Sequence, residues 1–211
     1  MAMPTTRSHL VRSKAQLAAL AAAARQEIVD VLEQIGTVSV AELAAALGRP
    51  ADALYFHLRA LIRAGLVRKA GSRARAGGRE ALFRTVKPEL RLHYDPQDAA
   101  NRQAVSAVVA SMLRLANRDF QRSFREGRVV VSGAQRELWA WRKVGRLTPE
   151  QVRRVNQRIH QLARDVSAPR GRGRLYAVTV ILTPLDHRNN ADRSQTRARR
   201  RPPRSTGRKR P

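Results

Sequence analysis

Arg49, Ala51, Asp52, Tyr55, Phe56 and Arg59 lie close together, and Arg73, Arg75 and Arg79 follow in and beside the stretch "GSRARAGGR". Guanidiniums hold phosphate oxygens, and a tyrosine hydroxyl can donate to phosphate or its ring lie against a thymine methyl. Such a set suits recognition of a polyanion more than the making or breaking of bonds. Bond-making groups are sparse. The sequence has no G-x-S-x-G, no phosphate-binding Gly-Lys loop and no H-E-x-x-H. His9, His57, His93, His160 and His187 are scattered, and His57 has no Cys, Asp or Glu at ligand spacing. His57 is therefore expected to be a buried, hydrogen-bonded helix residue. No catalytic residues, metal or cofactor are expected, and the chain is read as a binding protein, not an enzyme.

Charge points the same way. The 211 residues hold 42 Lys and Arg against 16 Asp and Glu, a net charge of +26. Residues 188–211 carry ten of those cations and one acid, so most of the excess belongs to the body of the chain. Nucleic acid is the commonest partner of such a protein. No apolar run is long enough to span a bilayer. No basic amphipathic helix with large apolar side chains opposite is evident, so a membrane is not an expected partner. The absence of cysteine excludes disulfides and thiolate metal sites and fits a cytoplasmic protein.

The elements that would position these residues follow from periodicity. Apolar residues from Leu17 to Ile35 recur at steps of three and four, which predicts one helix over 15–35. Ser39 and Glu42 form an S-x-x-E capping box for a second helix that ends at Gly48. A third covers 51–64, with Leu54, Leu58, Leu61 and Ile62 on its apolar side and Gly65 at its end. "LVRKA" and "EALFRTV" read as two short strands joined by the Arg/Gly loop. Helix, helix, turn, helix and hairpin is the plan of a winged helix-turn-helix. Its recognition helix enters the major groove, so Ala51, Asp52, Tyr55 and Phe56 would face base edges. Arg49 and Arg59 would meet phosphates, and Arg73, Arg75 and Arg79 a neighbouring groove or the backbone. Asp52 could accept from a cytosine amino group or simply favour the helix start. Phe56 could touch thymine methyls or pack on a dimer partner.

The second half is expected to be α+β. A long helix over 97–126 carries an apolar stripe from Val105 to Phe124 and would be roughly 40 Å long. That stripe is read as a dimer seam. "RVVVSGAQRELWAWRKV" suggests two strands around Gly133, "LTPEQ" a capped helix start, and "RLYAVTVILTPL" another strand. Val152, Val155, Ile159, Leu162 and Val166 repeat at steps of 3, 4, 3 and 4. Trp139 and Trp141 could line an effector pocket, or one could be core and the other a half-exposed lid.

The segment "ALAAAARQEIVDVLEQIGTVSVAELAAALGRPADALYFHLRALIRAGLVRKAG" resembles the winged-helix repressors of the arsenic-resistance-repressor (ArsR) type, above all in "VAELAAALG" and "LYFHLRALIRAGLV". The likeness covers about residues 15–86. It implies a dimeric regulator binding double-stranded DNA and answering to a signal, with 51–64 as recognition helix and 66–86 as wing. Thiolate metal sensing, known among such repressors, is excluded by the missing cysteines. The expected organisation is a flexible 1–14, a winged helix-turn-helix domain over 15–86, an α+β dimerisation and effector region over 87–187, and a disordered Arg-rich tail over 188–211. The fold class is mainly α with small β. Two other functions fit the composition: a sequence-tolerant architectural or RNA-binding protein, and a ligand-binding or enzymatic C-terminal region docked by the winged helix.

Overall fold

The computed structural model describes residues 8–167 and 173–185, in two units, Met1–Thr179 and Val180–Pro211. The tail 188–211 and residues 1–7 lie outside the described residues. In the second unit, residues 180–185 carry no regular structure.

The first unit begins with β1 (Ser8–Val11), α1 (Lys14–Leu20) and α2 (Ala23–Ile35). Two expectations fail here. Residues 8–11 are a strand, and Val11 is fully buried. The helix expected over 15–35 is two helices, broken at Ala21–Ala22, where Ala22 turns extended. Alanine favours helix, so nothing local announces the break. Arg25 satisfies the freed end of α1, donating to the Ala19 carbonyl at 2.6 Å and the Ala18 carbonyl at 3.1 Å. The break lets both helices place apolar residues on one core: Leu17 and Leu20 from α1, Ile28, Val29 and Leu32 from α2.

Next come β2 (Val38–Ser39), α3 (Val40–Leu47), α4 (Ala51–Arg63), β3 (Val67–Arg75) and β4 (Gly78–Thr85). The capping box forms as read: Ser39 N donates to Glu42 Oε2 at 2.8 Å and Glu42 N to Ser39 Oγ at 3.2 Å. β2, β4 and β3 form one antiparallel sheet in that order. The "GSRARAGGR" segment is mostly strand, contrary to its reading as a loop. β3 runs to Arg75 and the connection shrinks to two residues ending in Gly77, whose φ is 93°. A bulge between Lys69 and Ser72, at Gly71 (φ 103°), absorbs the extra residue.

β5 (Glu89–Leu92) pairs in parallel with β1, Ser8 opposite Glu89 and Val11 opposite Leu92. Glu33 of α2 accepts the Leu90 N–H at 2.6 Å and so ties that small sheet to the helical core. Its carboxyl is pushed up to about 8, first by burial, against the Leu90 N–H, and further by Asp30 and Glu89. An acid with a raised pKa holds its proton more tightly when folded. Its contribution to stability is therefore present below the unfolded value of 4.5 and lost as pH climbs through about 8. Denaturant midpoints should fall between about pH 5.5 and pH 8.5, and Glu33→Gln should remove part of that fall. An equal fall in the variant would assign the pH dependence elsewhere.

α5 (Ala99–Glu126) matches the expected long helix and starts at Asp98, whose carboxylate accepts the Ala100 N–H at 2.8 Å. It buries Val105, Val108 and Leu115, with Val105 and Val108 joining the core that α1 and α2 line. Part of the stripe read as a dimer seam is therefore covered within the chain, while Phe124 at its end stays exposed. α6 (Pro149–Val166) has the capping box read from "LTPEQ".

The α+β reading of the second half is corrected. Among the described residues no strand follows Leu92. Residues 128–148 make a turn at Gly133, closed by Glu137 N to Val130 O at 2.7 Å, without a ladder. Val130, Val131, Leu175 and Val178 are β-prone but exposed. A strand needs a partner strand, and among the described residues these segments pair with none. α6 also corrects the sequence reading of amphipathic helices: it carries Arg153, Arg154, Arg158 and Arg164 beside its Val/Ile/Leu stripe.

Candidate nucleic-acid interface

Two helices and a tight turn build the candidate surface. α3 ends at Gly48 in the left-handed region, φ 60° and ψ 37°, and Arg49 N donates back to Ala44 O at 3.0 Å. Pro50 has φ −61°, the value its ring fixes, and α4 starts at the next residue. One face of α4 carries Leu54, Leu58 and Leu61, all fully buried against α2, α3 and β3. Asp52, Tyr55, Phe56, Arg59 and Arg63 occupy the other face, and all are exposed. Tyr55 is 46% exposed and Phe56 66%, so two aromatic rings stand in solvent on a helix whose opposite side is core. Burying such rings against a partner is favourable.

The positions expected to read bases divide. Ala51 does not face outward: it is half-buried and packs on the core. Ala53, one residue past Asp52, is exposed in its place. Asp52 sits in the first turn of α4, where a carboxylate complements the helix dipole. Arg59 and Arg63 have no ion pair among the described residues, and Arg68 and Lys69 of β3 are likewise exposed and unpaired. Arg68 lies directly opposite Arg84 across the β3–β4 ladder, both exposed. Two like charges so placed repel, and an anion between them relieves the repulsion.

The other arginines expected at phosphate are engaged within the chain. Arg49, expected at phosphate, donates to Glu27 Oε2 at 2.6 Å. The second oxygen of Glu27 takes Arg118 of α5, also at 2.6 Å, and the Glu27 side chain is only 17% exposed. One carboxylate thus fastens the turn before α4 to α2 and to α5. Arg73 reaches Glu42 at 2.9 Å and Glu80 at 3.0 Å, Arg75 reaches Glu80 at 3.4 Å, and Arg79 donates to Ser72 Oγ at 2.8 Å. Glu42 is held below the usual carboxylate range first by the Ser39 N–H and then by Arg73. A pair between two exposed groups, such as Arg73–Glu42, is worth little in water. A phosphate can therefore draw Arg73 from Glu42 at small cost, whereas Glu80 and Glu27, each largely covered, hold their arginines more firmly, and Arg49 is committed to the fold. The sequence carried no signal for this, because Glu27 lies 22 positions from Arg49.

His57 is half-buried, edge-on to Phe56 with ring centroids 5.5 Å apart. Contrary to expectation its enclosed Nδ1 has no hydrogen-bond partner among the described residues. Burial first, then Arg25 and Arg49, holds its pKa below the usual value, which favours the neutral ring.

Trp139 and Trp141 are both largely exposed, so neither is core. Arg136 lies 4.2 Å from the Trp139 ring centroid, a cation–π contact. Glu137 gathers Arg174 at 3.2 Å and Tyr176 at 2.5 Å near the same turn. Two open surface hollows lie elsewhere, one on the C-terminal turns of α5 around Arg118, Arg122 and Arg125, the other between α3 and the β3–β4 hairpin at Glu42, Arg73 and Glu80. Neither borders the tryptophans.

Among the described residues no three His, Asp or Glu side chains gather as a metal ion would require, and no helix is long and apolar enough to cross a membrane. No curated protein matches the chain. Residues 20–70, which span α2, α3, α4 and the start of β3, match the sequence model of a family described as the helix-turn-helix domain. That match, together with the α3–turn–α4 geometry and the uncovered face of α4, supports a helix-turn-helix, a DNA-binding element, in this part of the chain.

Proposed function

We propose that the protein is a cytoplasmic transcriptional regulator of the ArsR-like winged-helix type. It binds double-stranded DNA as a homodimer and has no catalytic role. α4 enters the major groove with Tyr55, Phe56 and Arg59 toward the duplex, and the β3–β4 hairpin acts as the basic wing. The observation that carries this reading is the outward face of α4: Asp52, Tyr55, Phe56, Arg59 and Arg63 are all exposed while Leu54, Leu58 and Leu61 are buried. A net charge of +26 supplies the long-range attraction. The hairpin cations Arg73, Arg75 and Arg79 exchange their carboxylate and hydroxyl partners for phosphates. Two copies would read half-sites about one helical turn apart, roughly 34 Å. A small-molecule effector would act through the region after the hairpin, with Arg118 and Glu27 joining α5 to the turn before α4.

A second reading has a specific observation behind it. The α4 face offers few hydrogen-bonding base readers, since Ala51 points inward and Ala53 and Phe56 are apolar. That favours sequence-tolerant binding to DNA or RNA. Competition at fixed salt separates the two. A duplex from beside the gene should outcompete random duplex by about a thousandfold or more. A ratio below about tenfold would replace the regulator by the sequence-tolerant protein.

A further inference from the structure

α6 is 18 residues long and none of them is buried. Val152, Val155, Ile159, Leu162 and Val166 form one stripe along it, yet Val152 is 38% exposed, Leu162 41% and Val166 40%. The steps of 3, 4, 3 and 4 are those of the a and d positions of a heptad, a narrow seam suited to one other helix. A stripe of this width left in water is unfavourable unless something covers it.

The edges of the seam indicate what does. The edge just before each a position carries Gln151, Arg158 and Asp165; the other carries Asn156 and Ala163. Arg158 and Asp165 are seven residues apart, about 10 Å along the helix, too far to pair with each other. Asp165 accepts from Gln161 at 2.8 Å, and Arg158 has no ion pair among the described residues. In a parallel pair, Arg158 would face Ala163 of the other copy. In an antiparallel pair the two Arg/Asp edges meet with their order reversed. Arg158 of each copy then lies opposite Asp165 of the other, while Ile159 packs on Leu162 and Val155 on Val166. The surface is complementary to itself, as a two-fold interface requires.

We infer that α6 is a docking surface for the α6 of a second copy of this chain, joined antiparallel through the Val155–Ile159–Leu162–Val166 seam and two reciprocal Arg158–Asp165 ion pairs. The inference rests on the homodimer reading and locates one of its contacts. It places that contact on α6, not on the α5 stripe, which the chain partly covers itself.

Sedimentation equilibrium of the full chain tests it, with circular dichroism to follow folding. The wild type should be a dimer at micromolar concentration. Ile159→Asp should raise the dissociation constant at least tenfold, and Arg158→Glu severalfold. Arg158→Glu combined with Asp165→Arg should return it to near the wild-type value, which lost packing alone could not do. No α6 side chain is buried, so these changes leave the core intact. A wild-type monomer would overturn the homodimer reading itself. A dimer unchanged by Ile159→Asp would leave that reading standing and overturn the assignment to α6. Failure of the double exchange would overturn the antiparallel pairing. Binding to phosphatidylserine vesicles that Ile159→Asp abolishes, with the dimer unchanged, would assign the seam to a lipid surface instead.

Discussion

Tyr55→Ala combined with Arg59→Ala is expected to weaken binding to the cognate duplex by about 2–4 kcal/mol, a thirtyfold to thousandfold rise in Kd. Both side chains stand on the solvent side of α4, and Arg59 has no partner to lose within the described chain. Thermal unfolding and oligomeric state should therefore stay as in the wild type. Tyr55 loses a hydrogen bond or ring contact to the duplex, and Arg59 a charge. Removing one phosphate contact should also lower the log–log salt slope by about 0.9. Fluorescence anisotropy at two salt concentrations measures both effects. An affinity within twofold of the wild type would mean that this face does not meet nucleic acid.

Leu61→Ala should do the reverse. Leu61 is fully buried, beneath the same helix. Its truncation removes the transfer energy of the lost atoms and leaves a cavity that α2 and β3 cannot fill, at a cost of about 2–5 kcal/mol. Against a typical domain stability of about 5–15 kcal/mol that is a large share. Urea unfolding should show a lower midpoint with unchanged slope. DNA affinity of the fraction still folded should be nearly that of the wild type. The pair of variants separates the two faces of one helix: one change acts on binding alone, the other on stability alone. If Leu61→Ala cost under about 0.5 kcal/mol, the packing of α4 described above would be wrong.

Much of the N-terminal half was legible before any coordinates. The Ser39–Glu42 box, the Gly48 end, the Leu54–Leu58–Leu61 stripe and the two hairpin strands all come from patterns within a few residues. The long helix from Ala99 and the Thr148 cap of α6 belong to the same class. The errors share a cause. The break at Ala21–Ala22 occurs in a sequence that favours helix, because two short helices fit the core and one long one does not. β1 leaves no local mark, since four residues make a strand only when β5, some 80 positions later, lies alongside. The segments expected as strands after α5 have the composition of strands but pair with no other segment among the described residues. His57 was expected to find a hydrogen-bond partner, and the packing around it provides none.

The candidate site divides the same way. Its outward residues Tyr55, Phe56 and Arg59 follow from helical period and the position of the leucines. The inward turn of Ala51 and the capture of Arg49 by Glu27 do not. Nor does the engagement of Arg73, Arg75 and Arg79 with Glu42, Glu80 and Ser72.

The residues read in order establish a strongly basic chain, a helix-turn-helix pattern whose second helix is apolar on one side, and many arginines around it. Composition and 3.6-residue periodicity are local properties, and they survive reading in one dimension. Packing in three dimensions settles which arginines remain available and which are tied into the fold. It also decides where the long alanine-rich segment bends, and that the seam of α6 faces solvent. Ion pairs, strand edges and exposure depend on groups far apart in the chain meeting in space, and spacing along the chain does not encode those meetings.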